Sequence, residues 1–255
     1  AHPNSQSRTQ RLAMAWRVRC IVFRLDQVCP MNNNNALLII DMQQEDGFVL
    51  DNLDSVVANT ATLLDTARSQ RTPVIYTRHI NQADGSDLPH GEPLAADGGP
   101  GSYRASTRQV EIIESLTPLP DELIIDKGRY SAFHRTDLDA RLKALQVDTL
   151  IVCGVLTDVC VLTSVFDAFA LGYRVRLVSD ACTTTTLAGH YSALLILANW
   201  VYALEILTTT ECRRALQQRD YVSLIPEHPD LFAHQPHELQ STIARLQSRL
   251  VRTQE

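Results

Sequence analysis

From residue 36 onward, short continuous apolar runs alternate with segments whose apolar positions recur every three or four residues. Ala36–Asp41 (ALLIID) is such a run, closed by an acid, and runs of this kind are typical of strands covered on both faces. Leu53 to Gln70 has helical periodicity, and Thr72-Pro73 leads into a strand over Val74–Thr77. The same pattern predicts strand Leu123–Ile125, helix Leu138–Leu145, strand Leu150–Cys153 and a helix carrying Val159, Leu162, Val165, Phe166 and Phe169. Strand Val175–Ser179, a helix near Leu187–Ala198, strand Val201–Leu207 and a short helix from Thr210 follow. Repeated β-α units imply an α/β fold, a parallel sheet with helices on both faces and right-handed crossovers. Ligands of such sheets bind beyond the carboxyl ends of the strands, where the strand order reverses.

The segments outside this pattern divide the chain. Residues 1–35 look foreign to the fold: five arginines stand against Asp26 alone up to Met31, and Asn32 to Asn35 follow. An Arg-rich, acid-poor leader of this kind is set aside from fold reasoning and expected to be weakly ordered. Without it the net charge of −6 becomes −10. Residues 36–219 are expected to form one α/β domain. Residues 220–255 are a polar tail with a helix expected near Glu238–Val251 and a role in packing or oligomerisation. A polar, glycine-rich loop from about Arg78 to Arg104 is long enough to be functional, a lid among the options.

Composition narrows the function. With 255 residues, 45% hydrophobic and 20% charged, the chain has an ordinary globular make-up. Its acidic balance gives no footprint for nucleic acid, and no apolar run approaches a membrane span. Six scattered cysteines without CxxC pairs argue for free thiols in a reducing, cytoplasmic compartment. Of 23 basic residues only Lys127 and Lys143 are lysines. Lys143 lies on the polar side of a helix, whereas Lys127 directly follows a strand.

The chemistry gathers at strand ends. In Asp148–Cys160 (DTLIVCGVLTDVC), Gly154 breaks a buried strand and Thr157 or Asp158 is suited to cap the helix beyond. Cys160 is then the third helical residue, where the positive end of the helix favours a thiolate. Asp41, Lys127 and Cys160 each lie just past a strand end in three different units, on one rim of the sheet. A cysteine nucleophile needs a base and a neighbouring cation, roles open to Asp41 and Lys127. The free amides of the Leu156–Cys160 turn suit an oxyanion. His79 and His90 fit zinc spacing poorly, so no metal or other cofactor is assigned.

Ile39–Gln43 (IIDMQ), Asp126–Phe133 (DKGRYSAF) and Cys153–Cys160 (CGVLTDVC) resemble the isochorismatase-like cysteine hydrolase superfamily over about Ala36 to Thr210. The resemblance implies a three-layer α/β/α fold with a six-stranded parallel sheet. It implies an Asp41-Lys127-Cys160 triad, a non-proline cis peptide at Val155–Leu156, and oxyanion donors at the Leu156 and Cys160 amides. It also implies a homo-oligomer, dimer or tetramer. Gln43, Arg78, Tyr130, Phe133 and Thr157 are expected around a substrate pocket, Arg78 facing a substrate carboxylate. Isochorismatases proper lack the nucleophilic cysteine, so Cys160 points to C–N cleavage in a small amide, carbamoyl or ureido substrate. The Asp-x-His cluster of metal-bound nicotinamidases is missing from YTRHINQADGSD, and DMQQEDGF departs from the common DMQNDF. The alternatives are a nicotinamidase, a catalytically idle ligand-binding or oligomer partner, and a thiol redox protein using Cys160.

Overall fold

A computed structural model describes residues 22–23 and 34–251. Most of the segment set aside as a leader lies outside those residues. Its described part, Val22–Phe23 (β1), runs antiparallel to Tyr221–Val222 (β8). The body is one six-stranded sheet of Asn35–Ile40 (β2), Val74–His79 (β3), Leu123–Lys127 (β4), Thr149–Val155 (β5), Arg174–Thr183 (β6) and Glu205–Leu207 (β7). The order is β4-β3-β2-β5-β6-β7 and every neighbouring pair is parallel. Strand order reverses between β2 and β5, so the crevice above that pair is where a ligand of such a sheet is expected.

Burial explains the placing of the strands. Residues 36–40 of β2 are wholly inaccessible at the centre of the sheet, as an uninterrupted apolar run demands. The edge strand β4 alternates instead, with Ile124 facing solvent and Ile125 and Lys127 facing inward. Right-handed crossovers in opposite directions put Leu53–Ser69 (α1), between β2 and β3, and Leu162–Ala170 (α3), between β5 and β6, on opposite faces. α1 packs against Thr209–Leu216 (α5), and α3 against Leu187–Trp200 (α4). Leu138–Ala144 (α2) is tied to the entry of β6 by the Tyr173 hydroxyl, which donates to Asp139 at 2.8 Å.

The expected elements are present with three corrections. The final strand begins at Glu205, because residues 201–204 form a turn with Ala203 at φ 59. Lys127 is the last residue of β4 rather than the residue after it. The helix bearing Cys160 opens with a π-helical turn, Thr157–Val161, capped at Leu156, and regular α-helix starts only at Leu162. The tail helix, Leu239–Leu250 (α6), lies against α4 of its own chain. Phe232 anchors that tail: it is fully buried, its amide donates to Asn199 Oδ1 at 2.8 Å, and Arg245 and Arg249 lie over its ring. No helix among the described residues is long and apolar enough to cross a membrane.

Candidate active site

The carboxyl end of β5 needs a residue without a side chain. Gly154 has φ +121, and a Cβ there would meet the Ile40 carbonyl oxygen at 2.1 Å. That close approach seats the following turn directly over the end of β2. The Val155–Leu156 peptide is cis. The Leu156 carbonyl then accepts the amides of Val159 and Val161, passing over that of Cys160.

Asp41, Lys127 and Cys160 meet above the β2–β5 switch point, each at least nine-tenths buried. Asp41, with φ 51, donates its amide to Thr77, and the Thr77 hydroxyl donates to Asp41 Oδ1 at 2.6 Å. Lys127 Nζ lies 2.6 Å from Asp41 Oδ2 in a buried ion pair. The ammonium also donates to the Arg129 carbonyl at 3.1 Å and to Cys160 Sγ at 3.4 Å, and faces His79 Nδ1 at 3.3 Å. One carboxylate oxygen is thus held by Thr77 while the other faces the Lys127 ammonium.

The electrostatics correct the expectation of a thiolate favoured by a helix end. Burial, followed by the Asp41 carboxylate, pushes the Cys160 thiol well above its usual range, and Lys127 only partly opposes them. Lys127 is itself disfavoured by burial, yet Asp41 and Cys160 more than offset this and keep its pKa above the ordinary value. The resting site therefore holds a neutral thiol beside an ion pair.

His79 and Asn81 belong to this cluster and were not singled out as catalytic on sequence. His79 is the direct partner of Lys127 across the β3–β4 ladder, so both side chains rise on one face. Burial first, and the Lys127 charge second, lower the His79 pKa to about 4. Its Nε2 faces Asn81 Oδ1 at 3.2 Å. Asp41, His79 and Cys160 offer ligand atoms within 4.8 Å of one another, a donor set that invites a metal ion. The Lys127 ammonium lies 2.6 to 3.4 Å from all three and already supplies the positive charge there, so the residues do not fit a metal at that point.

The expected pocket residues are mostly committed elsewhere. The Gln43 amide closes both its ends on the His79 backbone, accepting from the His79 amide at 2.8 Å and donating to the His79 carbonyl at 3.0 Å. Arg78 makes a bidentate pair with Asp126 at 2.7 and 2.8 Å, so it has a protein carboxylate rather than one from a substrate. Phe133 stacks on Tyr173, which precedes β6 at the opposite end of the sheet, with ring centroids 6.0 Å apart. The Thr157 hydroxyl lies 2.9 Å from His190 Nδ1 and is fully buried. Only Tyr130 stands at the rim, half exposed, its ring 6.5 Å from that of His79.

Tyr103 takes the place the others leave. It comes from the long loop, with its ring 5.0 Å from His79 and 5.9 Å from Phe48. Its amide donates to Glu45 Oε2 at 2.5 Å and its carbonyl accepts the Asn81 amide at 2.9 Å. Burial, then Asp41 and Cys160, push its phenol far above the ordinary range. Loop periodicity offers no signal for such a residue. Glu45, in the atypical stretch after Gln43, is the nearest hint.

Comparison with known proteins places this geometry. Residues 35–211 match the Isochorismatase domain. The chain is 33% identical over 156 residues to the uncharacterized isochorismatase family protein YddQ of Bacillus subtilis, covering 60% of this chain and 79% of that protein. It is 32% identical over 172 residues to nicotinamidase 3 of Arabidopsis thaliana, covering 66% and 83%. Enterobactin synthase component B of Escherichia coli is 34% identical over 166 residues, although the match spans only 56% of that protein and 62% of this chain. Among solved structures, a cysteine hydrolase from Pseudomonas syringae superposes with a TM-score of 0.66 at 32% identity, covering 75% of this chain and 96% of that one. By sequence and by fold alike, this chain belongs to the isochorismatase family of hydrolases.

Proposed function

We propose that the chain hydrolyses the C–N bond of a small amide, carbamoyl or ureido compound through an acyl-thioester on Cys160. The observation that carries this reading is geometric: a buried Asp41–Lys127 pair at 2.6 Å whose ammonium also lies 3.4 Å from the buried Cys160 sulfur. Asp41 Oδ2 takes the thiol proton as sulfur attacks the substrate carbonyl carbon, and Lys127 holds the forming thiolate. The tetrahedral oxyanion is received by the Leu156 and Cys160 amides, a contribution of about 3 kcal/mol for each well-placed donor. Collapse breaks the C–N bond, and protonated Asp41 returns its proton to the departing nitrogen. Water then attacks the thioester, Asp41 accepts a water proton, and the expelled sulfur recovers it as the acid leaves.

The family's name and that of the plant relative give the reading a boundary. Nicotinamide is a primary amide and falls within the class, whereas the bond cleaved in isochorismate is a vinyl ether, with no acyl–nitrogen bond from which a cysteine could be acylated. The test is ammonia release from biuret, N-carbamoyl amino acids, ureidoacrylate and nicotinamide, with isochorismate cleavage assayed alongside. Wild type and Cys160→Ala are compared, each with and without a chelator. Turnover of at least one C–N substrate that falls about 1,000-fold or more in Cys160→Ala is expected. Isochorismate cleavage retained by Cys160→Ala, with no C–N substrate turned over, overturns the reading.

A further inference from the structure

The Lys127 ammonium has three protons, and its directed contacts are the Arg129 carbonyl, Cys160 Sγ and His79 Nδ1. Asp41 Oδ2 is the nearest atom of all, at 2.6 Å, so the ammonium has four polar neighbours for three protons. How it shares them depends on the imidazole, whose tautomer has to be the right one to accept.

We infer that His79 is a positioning residue for Lys127: held by Asn81 as the Nε2–H tautomer, it accepts one ammonium proton at Nδ1, which aims another at Cys160. This rests on the reading of Asp41 as the base for Cys160. Three observations fix the device. His79 and Lys127 are direct cross-strand partners, so the ring and the ammonium share one face at the same height. The Gln43 amide clamps both backbone groups of His79, which leaves the ring little freedom to shift along the strand. Asn81 donates through Nδ2 to the Ser102 carbonyl at 3.1 Å, so its Oδ1 is the end that faces His79, and Nε2 has to carry the proton. The opposite tautomer would press N–H against N–H at Lys127 and set two acceptors face to face at Asn81.

The device also accounts for the whole cycle. A thioester sulfur is a poor acceptor, so once Cys160 is acylated the ammonium proton aimed at it has no good partner. His79 and Arg129 still hold the other two, and Lys127 stays in place until the thiolate reappears.

The test separates tautomer, chemistry and fold. Nitrogen NMR of histidine-labelled protein reads the tautomer directly, with His79→Asn used to assign the signal. The expected spectrum shows Nε2 protonated and Nδ1 bare at neutral pH. His79→Leu removes the acceptor, and His79→Asn restores one near the Nδ1 position. On the best panel substrate, kcat falls about tenfold or more in His79→Leu, KM stays within about twofold, and His79→Asn recovers most of the loss. Trapping of Cys160 by iodoacetamide, followed by peptide mass, reports thiolate formation without any substrate, and should slow in the same order. An Nδ1–H signal overturns the inference. So do equal losses in both variants, or losses that follow melting temperature alone. Activity surviving in Cys160→Ala strikes the proposed function, while the tautomer and the trapping rates still judge His79.

Discussion

Two ion pairs involve neighbouring rungs of the β3–β4 ladder, where Arg78 is the register partner of Asp126 and His79 that of Lys127, whose counter-charge Asp41 comes from the end of β2. Arg78–Asp126 is a closed unit: two parallel hydrogen bonds use both carboxylate oxygens, and both side chains reach solvent. Asp41–Lys127 is shorter, at 2.6 Å, and fully buried. The exposed pair has satisfied itself and has nothing left to offer a substrate. The buried one is shared with its neighbours Thr77, Arg129, His79 and Cys160, and a charged pair coupled to a nucleophile in a protein interior is where reactivity is expected.

Removing half of the buried pair should produce the largest effect. Asp41→Asn takes away the base, which lowers turnover by about 100- to 10,000-fold. It also leaves the Lys127 ammonium buried without a counter-charge, at a cost of about 3–5 kcal/mol in urea unfolding. The double variant Asp41→Leu with Lys127→Met should regain most of that stability and none of the activity, since apolar replacement of a buried pair is often neutral. If Asp41→Asn unfolds like wild type, the pair is more hydrated than its burial indicates and the contrast with Arg78–Asp126 collapses.

Such a contrast is only half visible in sequence. The strands were legible because a doubly covered sheet demands unbroken apolar runs, and β2 and β5 supply them. Asp41, Lys127 and Cys160 were legible because all three fall at strand ends. The helix start at Cys160 was not. Thr157 and Asp158 have the chemistry of N-caps, yet Thr157 is taken by His190 and Asp158 accepts the Thr184 hydroxyl at 2.5 Å. With both cap groups engaged by distant segments, the chain enters the helix through a wider π-turn. The partners of Gln43, Arg78 and Phe133 were not legible for a related reason: each is supplied by another strand or loop, and residue type alone does not show that a side chain is already engaged.

The buried histidines give the next largest effect and sharpen the comparison from the side of protons. His79 and His190 both have pKa values lowered to about 4, with burial the main cause. Between that value and the ordinary 6.5 the unfolded chain binds protons that the folded chain refuses, so stability falls as pH drops through this window. Each group contributes up to about 3 kcal/mol of that loss. Urea unfolding from pH 7 to pH 4.5 should show it. In His190→Asn, which keeps a polar partner for the Thr157 hydroxyl, the slope should flatten by about one proton. An unchanged slope would mean that His190 takes up its proton in the folded state and that the turn beneath Cys160 is open to water.

The smallest effect belongs to the exposed pair. Arg78→Ala removes two hydrogen bonds at once, yet it should alter unfolding by less than about 1 kcal/mol because water replaces what is lost. Turnover and KM should stay within about twofold, since Arg78 points to Asp126 and its charge is screened at the surface. A rise in KM of tenfold or more for substrates carrying a carboxylate, with neutral amides unaffected, would show that Arg78 leaves Asp126 when substrate binds. The exposed pair would then be a closed form of the binding site, and the line drawn between the two rungs would have to move.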